Sequence, residues 1–244
     1  MPTTKADIIA QLQKDILLLQ GHQPTLNNAA VDVGLGPLRE AFPGGVFPTG
    51  HIHELISMSA EDAAATSGFL SGILGCLMQE GGICIWISTN RMIFPPALQH
   101  FGIAPDQVVF VDVSRDKDAL WAMEEALKCN GLAAVVGELK EISFTASRRL
   151  QLAVEQSKVT GFVHRHQPRQ LTSTTCVARW QITPLVSEQE ERMPGPGFPS
   201  WQVALLKMRS GKPGTWRLTW YDNRFHTIRE AITALPLTPL RKIG

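Results

Sequence analysis

The sequence predicts an α/β fold with a mostly parallel sheet flanked by helices, a helical arm at the N-terminus and antiparallel strands at the C-terminus. Three observations carry that prediction. Between residues 50 and 166, short apolar runs alternate with amphipathic helical segments. Parallel neighbours need a crossover, usually helical, and strands covered on both faces read as continuous apolar runs. After residue 171 the helical period stops, and strand-like runs joined by turns replace it. Before residue 21 there is only one amphipathic helical pattern.

In chain order, Ile8, Ile9, Leu12, Ile16 and Leu19 recur at helical spacing over residues 5–20. Acidic residues interrupt the apolar part and no small-residue cleavage site follows, so the segment reads as an amphipathic helix and not as a signal peptide. Residues 1–28 are expected to form the arm. It would pack on its own core, on a partner, or on a second copy in self-association. "GHQPTLNN" breaks the pattern, and a short helix is expected at 37–42 between Gly- and Pro-rich turns. "GHIHELI" is a strand, and a helix follows from Ala63 to Gln79, with Phe69, Leu70, Ile73, Leu74 and Leu77 on its apolar side. "GGICIWIST" and "QVVFVDV" are buried strands with a helical stretch at 95–101 between them. "KDALWAMEEALKCNG" is a helix with a glycine stop. Strand "LAAVVGEL", helix "SFTASRRLQLAVEQSKVTG" and strand "GFVHRH" complete the alternation. "STTCVARWQITPL", "WQVALLKMRS" and "TWRLTWYD" are the later strands, the last two joined by "GKPG" as a hairpin, and "EQEERMPGPGFP" is a loop. The core domain is expected over 29–222, with a helix or tail over 223–244.

Composition is that of a globular protein, and no run reaches the roughly 18 apolar residues of a membrane span. Cytoplasmic placement is expected, with Cys76, Cys84, Cys129 and Cys176 as reduced, core-type thiols, since none form a C-x-x-C pair. Residues 1–147 hold 8 basic and 16 acidic residues, and residues 148–244 hold 15 and 6. The basic half could meet nucleic acid, an acidic partner or the acidic half of another copy, or simply be a polarised solvated surface.

"GPLREAFPGGVFPTGHIHEL" resembles the start of the RecA core, where a glycine-led strand ending in Glu precedes the phosphate loop. "PGGVFPTGHIHEL", "AAVVGEL", "SRRLQLAVEQS", "TSTTCVARW" and "VALLKMRSGKPGTWRLTW" together resemble the ImuA family, RecA-like accessory factors of damage-induced mutagenesis, over roughly residues 30–222. RecA proteins carry G-P-E-S-S-G-K-T-T after the Glu-ending strand. On an ungapped match from Gly50, its two glycines fall on Ser57 and Asp62, the phosphate lysine on Ala63 and the magnesium-binding hydroxyl on Ala64. No lysine lies between Lys14 and Arg91. That lysine holds the β/γ phosphates and the hydroxyl holds the metal. Ser59-x-x-Asp62 reads instead as a capping box whose carboxylate fills the helix N-terminus.

The other RecA positions agree. The water-polarising glutamate falls on Asn90, which is no general base. The Walker B aspartate falls on Gly137. Glu138 is adjacent, but strand alternation turns it the other way, and it is expected to face solvent or cap a helix. The resemblance therefore implies a non-enzymatic protein without a cofactor. It is expected to act in SOS-induced, error-prone translesion DNA synthesis with an ImuB-like polymerase-family protein, and with RecA as a further partner. The alternatives are a SulA-like inhibitor of cell division, a divergent RecA/RadA-type ATPase and a DNA-binding module.

Two further groups stand out. Arg165, His166 and Arg169, with Lys207, Arg209 and Lys212, are candidates for a basic patch that contacts DNA or a partner. His51-x-His53 and His164-x-His166 each place two imidazoles on one side of a strand; zinc needs a third ligand, and no sequence signal supplies one, so no metal is assigned. No G-x-S-x-G or Ser/His/Asp arrangement is present.

Overall fold

A computed structural model describes residues 33–79, 81–187 and 197–228 of the chain. The arm at 1–28, the tail beyond 228 and most of the loop at 188–199 lie outside the described residues. Among those described, nine strands form one sheet: β1 (Ile52–Ser57), β2 (Ile83–Ser88), β3 (Val108–Asp112), β4 (Leu132–Leu139), β5 (Thr160–His166), β6 (Ala178–Pro184), β7 (Ser200–Met208), β8 (Gly214–Tyr221) and β9 (Arg224–Thr227). Their order is β3-β2-β4-β5-β1-β6-β7-β8-β9. β3 through β6 in that order are parallel, and β6 to β9 continue antiparallel. The alternation of strands and helices therefore gave the expected sheet. β9 lies past residue 222, because Arg224–Thr227 pairs with Leu218–Tyr221 across a two-residue turn at Asp222 and Asn223.

Three helices cover the faces: α1 (Ala60–Leu77), α2 (Asp116–Leu127) and α3 (Phe144–Ser157). α1 lies on one face, where Phe69, Leu70, Ile73 and Leu74 pack with Trp86, Val136, Phe162 and Trp180. α2 and α3 lie on the other, where Met123, Leu127, Leu150 and Val154 pack with Ile52, Ile87, Val135 and Val163. Fully burying such side chains stabilises by about 1.5–3 kcal/mol each. The antiparallel strands extend the α1 side of the core. Trp201, Trp220 and Phe225 pack there, and a Cβ at Gly72 would meet the Phe225 ring at 2.6 Å. The stretches expected to be helical at 37–42 and 95–101 are 3-10 turns, Gly36–Ala41 and Pro95–Phe101, each opened by proline in its first positions.

Further details differ from the sequence reading. "QVVFVDV" is not a buried strand: β3 is the edge of the sheet, and of its residues only Val108 is buried. α1 begins at Ala60, not Ala63, because Ser59 caps it. Cys76, Cys84 and Cys176 are buried, whereas Cys129, just past α2, is exposed and is not a core thiol.

Candidate functional site

The C-terminal ends of parallel strands are where open α/β sheets place their ligands. Here that edge holds the β1–α1 junction, which consists of two residues, Met58 and Ser59. Ser59 Oγ accepts a hydrogen bond from the Asp62 amide at 3.1 Å, and Asp62 Oδ2 accepts from the Met58 amide at 3.2 Å. Glu61 adds a second carboxylate; its own backbone amide and the Ser59 hydroxyl hold its pKa below the ordinary value. The four positions matched to the phosphate loop do not form a loop. Ser57 is the last residue of β1, while Asp62, Ala63 and Ala64 lie in the first turn of α1. Amides that would face phosphate face the chain's own carboxylates.

Beside this junction runs a groove of about 220 Å³ lined by the small residues Ala63, Ala64, Ser67 and Gly68 of α1 and by Met92 and Phe94. It falls below the roughly 300–1,000 Å³ of ordinary small-molecule sites. Met92 and Phe94 stand exposed at its rim. Asn90 is exposed just past β2.

Beneath the groove lies a buried polar cluster. β4 and β5 pair in parallel with Glu138 opposite His164, and β5 pairs with β1 so that Ser57 is opposite His166. Glu138, His164 and His166 turn to the α1 face. Glu138 is 4% exposed and accepts a hydrogen bond from Trp86 Nε1 at 2.9 Å. It neither faces solvent nor caps a helix, because the strand beside it is a central one and its face is covered by α1. Alternation does turn it away from the Walker B position: Gly137 faces α2, where a Cβ would meet Met123 Sδ at 2.5 Å. His164 Nε2 lies 2.8 Å from Ser57 Oγ, which lies 2.9 Å from Thr66 Oγ1. The two imidazole rings sit 4.0 Å apart. Burial pushes the Glu138 carboxyl up to about 7, aided by nearby Asp112, against the Trp86 hydrogen bond that lowers it. Burial, and then the neighbouring His166, hold His164 well below the usual imidazole value. Burial lowers His166 as well.

His53 serves the core instead. Its Nε2 hydrogen-bonds the Pro48 carbonyl at 2.8 Å, Trp180 Nε1 donates to its Nδ1 at 3.3 Å, and its ring stacks on Phe47. His51 Nδ1 lies 2.8 Å from the Thr49 carbonyl oxygen.

Arg165 does not belong to a surface patch. Between His164 and His166 on β5, it turns to the opposite face and is fully buried. Its Nη1 donates to Glu54 Oε1 at 2.9 Å, and its Nη2 to Glu141 Oε2 at 2.7 Å and to the Gln170 carbonyl at 2.9 Å. Glu54 is buried too and accepts from Arg179 Nε and Thr174 Oγ1, both at 2.8 Å. The backbone amide of Arg169 holds the other Glu141 oxygen at 2.7 Å, and this contact, first among its partners, keeps the Glu141 pKa low. Of the remaining candidates, Arg169, Lys207, Arg209 and Lys212 are exposed, and His166 is half-buried on the α1 face. Lys207 Nζ donates to the Thr174 carbonyl at 3.0 Å and Arg209 Nη2 to the Thr175 carbonyl at 2.9 Å. These cations strap the β5–β6 connection onto the sheet. The six residues thus divide between two faces, a division that period-2 alternation along "HRH" already contains. No signal in the sequence pairs Arg165 with Glu54, which is over a hundred residues away.

Among the described residues no helix is long and apolar enough to cross a membrane. No family model matches the chain. It is 33% identical over 189 residues to Protein ImuA of Caulobacter vibrioides, in strain NA1000 / CB15N and in strain ATCC 19089 alike, a match covering 72% of this chain and 78% of that protein. Among solved structures it is similar to the RadB recombinase, with a TM-score of 0.53 and 13% identity, covering 85% of this chain and all of that one. The fold is accordingly the RecA-like one expected from the sequence.

Proposed function

The chain belongs to the ImuA family, and from that membership we propose that it is a non-enzymatic adaptor in SOS-induced, error-prone translesion DNA synthesis. In this reading it binds an ImuB-like, polymerase-family protein, with RecA as a second partner, and does so without nucleotide. The observation that carries the reading is the Met58–Ser59 junction. Two residues replace a phosphate-binding loop, and Ser59, Glu61 and Asp62 occupy the helix N-terminus with the chain's own oxygens. A triphosphate there would meet two carboxylates and no lysine. A RecA-like surface that cannot be switched by ATP suits a permanent docking platform.

The test is co-purification of the full chain with the ImuB-like protein of the same organism, with and without Mg-ATP. Stable association that is indifferent to nucleotide is the expected result. Two folded proteins that fail to associate would overturn the adaptor role. Saturable Mg-ATP binding in the micromolar range, detected as a thermal shift, would instead support a divergent ATPase.

A further inference from the structure

Glu138, His164 and His166 each offer one donor atom, and these atoms all lie within 4.8 Å of one another. We propose that this cluster is a binding site for a divalent transition metal, zinc by preference, held by two imidazoles and one carboxylate beneath the groove.

Four observations point to a cation. First, the donor set is right: two histidines and a glutamate form a known zinc ligand set, leaving a fourth position for water. Second, the geometry is close. Zinc bonds of about 2.0–2.2 Å in a tetrahedron place donor atoms roughly 3.3–3.5 Å apart. Glu138 Oε2 and His166 Nε2 are 3.9 Å apart, too far for a hydrogen bond and about half an ångström from the metal-bound spacing. Third, donor atoms are stranded. His164 Nδ1 and His166 Nε2 are buried without a hydrogen-bond partner. His164 is fully enclosed, so its lone nitrogen is costly unless something fills the space beside it. Fourth, the surroundings already orient the ligands. With His164 Nδ1 on the metal, its Nε2–H donates to Ser57 Oγ, whose hydroxyl passes the hydrogen bond to Thr66. Trp86 fixes one oxygen of Glu138 and leaves the other free. Metal-bound histidine and carboxylate are normally held by such outer hydrogen bonds.

His166 also lines the groove. The inference stands independently of the adaptor reading.

The experiment uses the full chain, stripped of metal with a chelator and dialysed. Zinc is titrated by calorimetry, cobalt(II) is followed by its visible absorption, and unfolding is measured at each step. Wild type should bind one zinc per chain and gain about 5–10 °C in Tm at zinc about 100-fold above Kd. Cobalt should give the intense absorption of a tetrahedral site. His166→Gln, half-buried and outside the apolar core, and Glu138→Gln, which keeps an acceptor for Trp86, should each lose at least about tenfold in affinity. His51→Gln should behave as wild type. Absence of zinc binding by folded wild type, or binding retained in both ligand variants, would overturn the proposal.

Discussion

Replacing Arg165 with methionine separates a buried structural cation from a surface one. Methionine fills much of the aliphatic volume and deletes the guanidinium. Three contacts disappear at once, to Glu54, Glu141 and the Gln170 carbonyl. Breaking a buried ion pair from one side costs about 3–5 kcal/mol, because the other charge stays behind. Glu54 keeps Arg179 and Thr174, and Glu141 is half in solvent, which places the cost near the lower end. At about 2–4 °C per kcal/mol for a chain of this size, a loss of about 3 kcal/mol lowers Tm by about 6–12 °C. Glu54→Gln should cost at least as much, since it leaves both Arg165 and Arg179 facing a neutral group. Arg169→Met is the control. Arg169 is exposed and reaches Glu141 through its backbone amide, so its effect should stay within about 0.5 kcal/mol. Urea and thermal unfolding of the purified variants measure all three. An Arg165→Met protein that melts within about 2 °C of wild type would refute the buried-network argument and return Arg165 to the surface patch.

Ser59→Ala removes the α1 cap and should destabilise by about 0.5–2 kcal/mol in urea unfolding, while Met58→Ala, exposed beside it, should change little. Gly75→Ala gains helix propensity of about 1 kcal/mol, but its Cβ runs into the Phe101 carbonyl oxygen, a backbone atom that cannot swing away. The net effect on Tm should therefore be a loss, with Gly131→Ala, open on all sides, as the harmless comparison. For pH, burial lowers the His53 pKa from 6.5 to about 3. The unfolded chain then binds a proton that the folded chain refuses, so this contribution to stability is intact above 6.5 and is lost as pH falls toward 3. Between about pH 7 and pH 5.5 the loss from this group is about 1 kcal/mol, and a His53→Gln variant should show a correspondingly flatter stability profile.

The sheet was legible in the sequence because its two periods are physically distinct. Apolar runs such as "LAAVVGEL" are covered on both faces, and "RRLQLAVEQS" has one apolar stripe. Boundaries shifted where capping chemistry decided them, as at Ser59. Side-chain clusters were harder. The basic patch joins Arg165 to His166, although adjacent strand residues face opposite ways, and that rule alone separates the two. The third donor beside His164 and His166 was not recoverable. Glu138 reaches them only through the register of β4 on β5, which no local pattern states. Arg165 likewise looked like a surface cation because the carboxylates that justify burying it, Glu54 and Glu141, come from β1 and the segment after β4.

The position of β1 has a consequence for biosynthesis. Among the described strands it is the first to leave the ribosome, yet both of its neighbours, β5 and β6, are among the later ones, with Ile52 opposite Gly161 and His53 opposite Ala178. At about 5–20 residues per second, β1 waits on the order of 5–20 s for a partner. Throughout that interval a strand that is buried along its whole length in the finished fold has two unpaired edges. A chain released before β5 and β6 are made could pair β3, β2 and β4 but would leave β1 without either of its neighbours. Translational arrest in that window should therefore yield aggregation or chaperone capture and not a smaller folded product.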